Sequence, residues 1–152
     1  MDIRRHSDFA ARRAALTAIV IGGALAFAAT LVGCRTVTIA PQGKSKTIAT
    51  YHTGVVSARL PETMDVLTAA AAGEAALLER GYVITRRTKT NGQSVLRATT
   101  PTAGWRRHFD RRVVFRAMQR NRSVRVDIVI DPFPDEAESR SILDATLAQL
   151  GL

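Results

Sequence analysis

Three groups of residues in this 152-residue chain have side chains that could do chemistry. Cys34 is the only thiol. A lone thiolate can attack an electrophile or accept a covalent group, but it has no partner for an intramolecular disulfide. His108 and Asp110 stand at i and i+2, one face of a strand, where a carboxylate could orient an imidazole for general-base work. That pair would need a nucleophile, and no Gly-x-Ser-x-Gly elbow occurs. The third group is arginine. Between Arg80 and Arg125 there are 13 basic residues and one acid, Asp110, whereas from Asp127 onward six acids face only Arg140. Guanidinium groups bind phosphates and carboxylates two oxygens at a time.

The elements that would position these groups begin at the N-terminus. Arg4, Arg5, Arg12 and Arg13 precede an uncharged run over residues 14–33. A basic start, an apolar stretch and small residues at its exit form a secretory signal, with the basic end held on the cytoplasmic side. The run is also long enough to span a bilayer as an uncleaved anchor. Arg12-Arg13 suits a twin-arginine signal only loosely, because Ala11, Ala14 and Ala15 flank it. At the exit stand Leu31, Val32, Gly33 and Cys34, a tetrapeptide that resembles the bacterial lipobox. The resemblance implies diacylglyceryl transfer to the Cys34 thiol, cleavage before it, and acylation (palmitate and similar chains) of the new amine. Two or three chains hold where one would not, since each buried CH₂ contributes about 0.8 kcal/mol. Arg35 in place of Asp implies outer rather than inner membrane.

Removing the four arginines and two aspartates of residues 1–33 leaves 18 basic and 11 acidic residues, a net charge of +7. The remainder is one domain's worth of chain. Residues 34–47 are Thr-, Pro-, Gly- and Lys-rich and suggest a lipidated cysteine on a flexible tether. Residues 48–60 suggest one strand. Pro61 opens a helix running to Arg80, with Glu62 and Asp65 in its first turn and Met64, Leu67, Thr68, Ala71, Ala75 and Leu78 as its apolar stripe. Gly73 lies in mid-helix, where it costs up to ~1 kcal/mol against Ala unless tight packing requires it.

Asn91-Gly92 between residues 82–88 and 94–100 is a strong hairpin signal, a type I′ turn needing positive φ at both positions. Residues 105–119 and 123–130 alternate as two further strands around a turn at 120–122, with Val124, Val126, Ile128 and Ile130 on one face. Asp135 caps a final helix whose buried stripe is Ile142, Leu143, Leu147 and Leu150. The expectation for residues 48–152 is an α+β domain of order β-α-β-β-β-α, about four antiparallel strands with two helices on one face.

This pattern, with Gly81-Tyr82-Val83 closing the first helix and Ser141-Ile142-Leu143-Asp144-Ala145 in the last, resembles short bacterial lipoproteins grouped as a family of unknown function. The resemblance implies the β-α-β-β-β-α unit behind an anchor and supplies no catalytic residues. The Arg-rich insertion from Gly104 to Arg112 departs from it.

Function is read accordingly. Among His6, His52 and His108 no ligand spacing for a metal occurs, no Gly-rich loop joins strand to helix, and no cofactor is implied. Arg86, Arg97, Arg107, Arg112, Arg116 and Arg125 are the candidate anion-binding residues, with Arg87, Lys89, Arg106, Arg111, Arg120 and Arg122 as possible neighbours. Interleaved Trp105, His108 and Phe109 would suit nucleic acid, which an exported protein rarely meets. Anionic lipid, glycan or an acidic envelope protein are the partners expected, for a binding or scaffolding domain rather than an enzyme. The alternatives are a signal-anchored inner-membrane protein and a periplasmic hydrolase using His108 and Asp110. The arginines also have a bland reading: 19 of the 22 basic residues are Arg, a compositional bias that decorates any solvated strand.

Overall fold

The computed structural model describes residues 37–100 and 111–152. The sheet has seven strands. Their order in sequence is β1 (Thr38–Gln42), β2 (Thr47–His52), β3 (Val55–Arg59), helix α1 (Val66–Glu79), β4 (Val83–Thr90), β5 (Gln93–Thr99), β6 (Arg112–Arg120), β7 (Ser123–Asp131) and helix α2 (Glu136–Gln149). In space the strands run β1-β2-β3-β7-β6-β5-β4, antiparallel throughout. Two meanders, β1–β3 and β4–β7, are joined by pairing of β3 with β7, and α1 carries the chain from the middle of the sheet to its far edge.

Among the described residues the α+β class and the two helices are as expected, but the sheet has seven strands rather than about four. The first expected strand is a hairpin. His52 pairs with Val55, closing a two-residue turn in which Thr53 (φ 52°) and Gly54 (φ 81°) both take positive φ. A type I′ turn requires this, yet a β-branched residue seldom adopts it. Thr-Gly therefore gives no turn signal in the sequence.

Part of the expected tether is a strand as well. β1 starts at Thr38, pairs with β2 from Thr38↔Tyr51 to Gln42↔Thr47, and is fastened to α2. Arg140 donates to the Thr38 carbonyl (3.1 Å) and Asp144 accepts from Gly43 N (2.9 Å). The Lys44 amide donates to the Leu152 carbonyl (3.1 Å). Pro41 is tolerated because β1 is an edge strand.

α1 begins later than Pro61 suggested. Asp65 is its N-cap, accepting from the amides of Leu67 (2.7 Å) and Thr68 (2.9 Å) and from the Thr68 hydroxyl (2.6 Å). These bonds, the Thr68 hydroxyl first, hold its carboxyl below the usual carboxylate range. The buried face is Ala69, Ala70, Ala72, Gly73, Ala76 and Leu77, while Leu67 and Leu78 of the expected stripe are about half exposed. α1 is apolar nearly all round, so periodicity does not choose the face. Close approach to the sheet does, and only the small-residue side permits it.

Between the helices the chain forms four strands where the expected order β-α-β-β-β-α has three, because β4–β5 and β6–β7 are two complete hairpins. β4 and β5 turn at Asn91-Gly92; Gly92 has φ 72°, but Asn91 is not among the residues with positive φ, so the turn is not type I′. Val124, Val126, Ile128 and Ile130 of β7 are fully buried. Asp135 caps α2 through the Glu138 amide (3.0 Å), with Glu136 and Glu138 in the first turn, and Ile142, Leu143 and Leu147 are buried while Leu150 is partly so. One core joins these residues to Phe115, Leu77, Val56 and Leu60. Both helices cover this one face of the sheet, and among the described residues the other face carries no helix.

Candidate anion-binding face

Strand alternation assigns every sheet side chain to the helix-covered or the open face. In β6, Val113, Phe115 and Ala117 are buried against the helices, so Arg112, Val114, Arg116 and Met118 point the other way. By the same rule Arg97 of β5 and Arg125 and Asp127 of β7 lie on the open face.

Arg86 reaches that face by an irregularity. Ile84 pairs with Ala98 but Arg86 with Arg97, leaving Thr85 as the extra residue of a bulge. Its hydroxyl donates to the Arg97 carbonyl at 3.0 Å. The bulge shifts the alternation by one. Arg86 turns to the open face and Arg87 to the helix side, where Arg87 forms a two-point ion pair with Glu74 of α1. Those hydrogen bonds hold the Glu74 carboxyl below its usual range.

Five of the six candidate arginines, Arg86, Arg97, Arg112, Arg116 and Arg125, thus share one exposed face. Arg107 lies outside the described residues, as do His108 and Asp110, Trp105, Arg106 and Phe109, and Leu31, Val32, Gly33 and Cys34 with the apolar run before them. Among the wider set, Arg87 is engaged by Glu74, and Arg111 is paired with Asp135 at 3.2 Å.

The open face is divided. Asp127 sits near its centre with its side chain only 12% exposed. It accepts from the Ser57 hydroxyl and from Arg125 Nε, both at 2.7 Å, while Arg125 Nη2 donates to the Ser57 Oγ at 2.9 Å. This closed triangle occupies the Arg125 guanidinium. Arg59, which pairs in register with Arg125, adds a basic group outside the candidate set, because its segment reads in sequence as part of one long strand. Around them lies a hollow of about 200 Å³ lined by Ile48, Thr50, Ser57, Arg59 and Arg125.

The other half of the face is different. Arg86 stands directly opposite Arg97, and Arg112 is diagonal to Arg97, two residues along β6 from its partner Val114. None of Arg86, Arg97, Arg112 and Arg116 has an acidic partner within ion-pair distance among the described residues. Arg97 and Arg112 line a hollow of about 330 Å³ with Thr85, Thr99, Val114 and Asp131. Like charges directly across a ladder are unfavourable, and an anion between them removes the cost.

Among the described residues no three His, Cys, Asp or Glu side chains converge, and no helix is long and apolar enough to cross a membrane. No protein family, curated protein or solved structure matches this chain.

Proposed function

We propose that this chain is a bacterial envelope lipoprotein held through Cys34, of the kind its sequence resembles, whose domain binds an anionic surface and does not catalyse. The observation that carries the binding half is the arrangement of Arg86, Arg97, Arg112 and Arg116 on a helix-free sheet face, none of them in an ion pair among the described residues although Asp131 and Asp127 stand opposite Arg112 and Arg116 in register. The anchoring half is carried by Leu31-Val32-Gly33-Cys34 at the exit of an uncharged run. Basic groups near an anionic leaflet gain about 1 kcal/mol each, so anionic lipid is the partner favoured over glycan or an acidic protein. Arg35 after the cysteine favours the inner leaflet of an outer membrane.

The experiment is the intact mass of the mature protein from its native membrane, beside a Cys34→Ala variant. Loss of residues 1–33 with added acyl chains, abolished by the substitution, is the expected result. A full-length mass altered only by the side chain would replace this reading with a signal-anchored protein carrying the same domain.

A further inference from the structure

Among the described residues two of the large exposed apolar side chains, Leu67 and Leu78, lie on α1, and the others lie along one edge or at one end of the sheet. Val37 (53% exposed), Ile39 (64%) and Ile48 (58%) follow the β1–β2 edge, and Phe133 (65%) and Val83 (51%) stand at one end of the sheet. Register shows which end. β1 begins beside Tyr51, β2 ends and β3 begins at the His52–Val55 pair, and β7 ends at Asp131 opposite Arg112, the first residue of β6. The chain therefore enters the sheet at the same end from which the 132–135 loop leaves it.

Phe133 is held there. The next residue, Pro134, lies against the β2–β3 turn, where a Cβ on Gly54 would come 3.1 Å from its ring carbons. Asp135 is fixed as the cap of α2. The same end carries Arg97 and Arg112 around their hollow, and Arg86 across from Arg97. Apolar tips beside clustered guanidinium groups form the composition that binds a bilayer interface, the tips entering the acyl boundary and the cations meeting the phosphates.

Chain length decides the occupant. Val37 follows Cys34 by three residues, so extended backbone spans at most ~10 Å between them. A lipid on Cys34 leaves this end of the sheet no room to stand clear of the surface that holds the lipid.

We propose that the domain docks on its own anionic bilayer by this end, Val37 and Phe133 entering the interface and Arg97 and Arg112 binding lipid phosphates. The proposal rests on the lipid-anchored function proposed for Cys34. It gives the domain a fixed orientation, with the N-terminal end of α1 and its exposed Leu67 turned away from the lipid.

The test uses the full chain, extracted from membranes and reconstituted into phosphatidylethanolamine vesicles with and without phosphatidylglycerol. Acylated Cys34 takes no thiol label, so Val37→Cys, Phe133→Cys and Leu67→Cys each provide one site for an environment-sensitive fluorophore. Nitroxide-bearing lipids should quench the labels at 37 and 133 severalfold more than the label at 67, and aqueous iodide should show the reverse order. Removing phosphatidylglycerol, or making Arg97→Glu with Arg112→Glu, should shrink that difference.

Equal quenching at all three sites, with the parent chain unlabelled, would overturn the docking while leaving the anchor intact. A parent chain that takes label at Cys34 would overturn the anchored reading, and the docking with it.

Discussion

Gly73 of α1 lies directly on the ring of Phe115 of β6. A Cβ built at 73 would sit 2.6 Å from Cε2 and closer still to other ring atoms, a separation no pair of carbons tolerates. Phe115 is itself fully buried at the centre of the core, so neither partner can retreat. Gly73→Ala gains up to ~1 kcal/mol of helix propensity, but overpacking a filled core costs about 1–3 kcal/mol. The variant should be less stable than the parent in urea. Adding Phe115→Leu should recover part of the difference and make the pair non-additive; additive losses would mean the contact is not the cause.

That contact also shows what the sequence could and could not reveal. Gly73 is visible as a helix defect with a packing explanation, but which strand residue it meets is not, because the partner is 42 positions away. The β7 face, the Asp135 cap and the α2 stripe are legible because period and cap agree. The hairpin at Thr53-Gly54 is hidden by a residue that seldom takes φ 52°, and β1 by turn-forming residues and Pro41. On the candidate face, simple alternation from Ile84 would send Arg86 to the helices. Only the bulge at Thr85 returns it to Arg97. Asp127, which divides the face, is legible as an acid in a strand but not as the partner of Ser57, 70 positions earlier.

Asp127 is the tightest polar group on that face. It takes donors from Ser57 and Arg125 at 2.7 Å with its side chain 12% exposed. Asp127→Ala removes the shared acceptor and leaves both donors short of a partner, at a cost of about 1–3 kcal/mol. Arg125→Ala should cost less than about 1 kcal/mol, since that guanidinium is half exposed and Asp127 keeps the Ser57 bond. Urea denaturation of the two single variants checks the order. Equal losses would mean the arginine, not the shared carboxylate, organises the triangle.

Tyr82 provides a pH signature. It is 5% exposed, and its hydroxyl donates to Glu138 Oε1 at 3.2 Å. Burial first, then the Glu138 charge, pushes its phenol up from 10.0 to about 12. A raised acid favours the folded state fully below its unfolded value, and the advantage fades as pH climbs from about 10 to about 12. The parent should therefore lose roughly 2–3 kcal/mol across that window relative to Tyr82→Phe, whose side chain has no proton to release. Parallel stability curves for the two proteins over this range would show that the phenol does not couple to folding.

Arg86 and Arg97 set stability against binding. They face each other across β4 and β5, a like-charge pair whose replacement by opposite charges is worth roughly 0.2–1 kcal/mol. Arg86→Glu should stabilise the protein in the absence of lipid. The same change lowers the charge of the open face by two, so attachment to phosphatidylglycerol vesicles should weaken and lose part of its salt sensitivity. A face whose arginines are merely compositional would show the stability gain with no change in vesicle binding. A face built for anions shows both together, because the repulsion that destabilises the free protein is the one an anion relieves. Measuring stability and vesicle affinity on one preparation of Arg86→Glu separates the two cases.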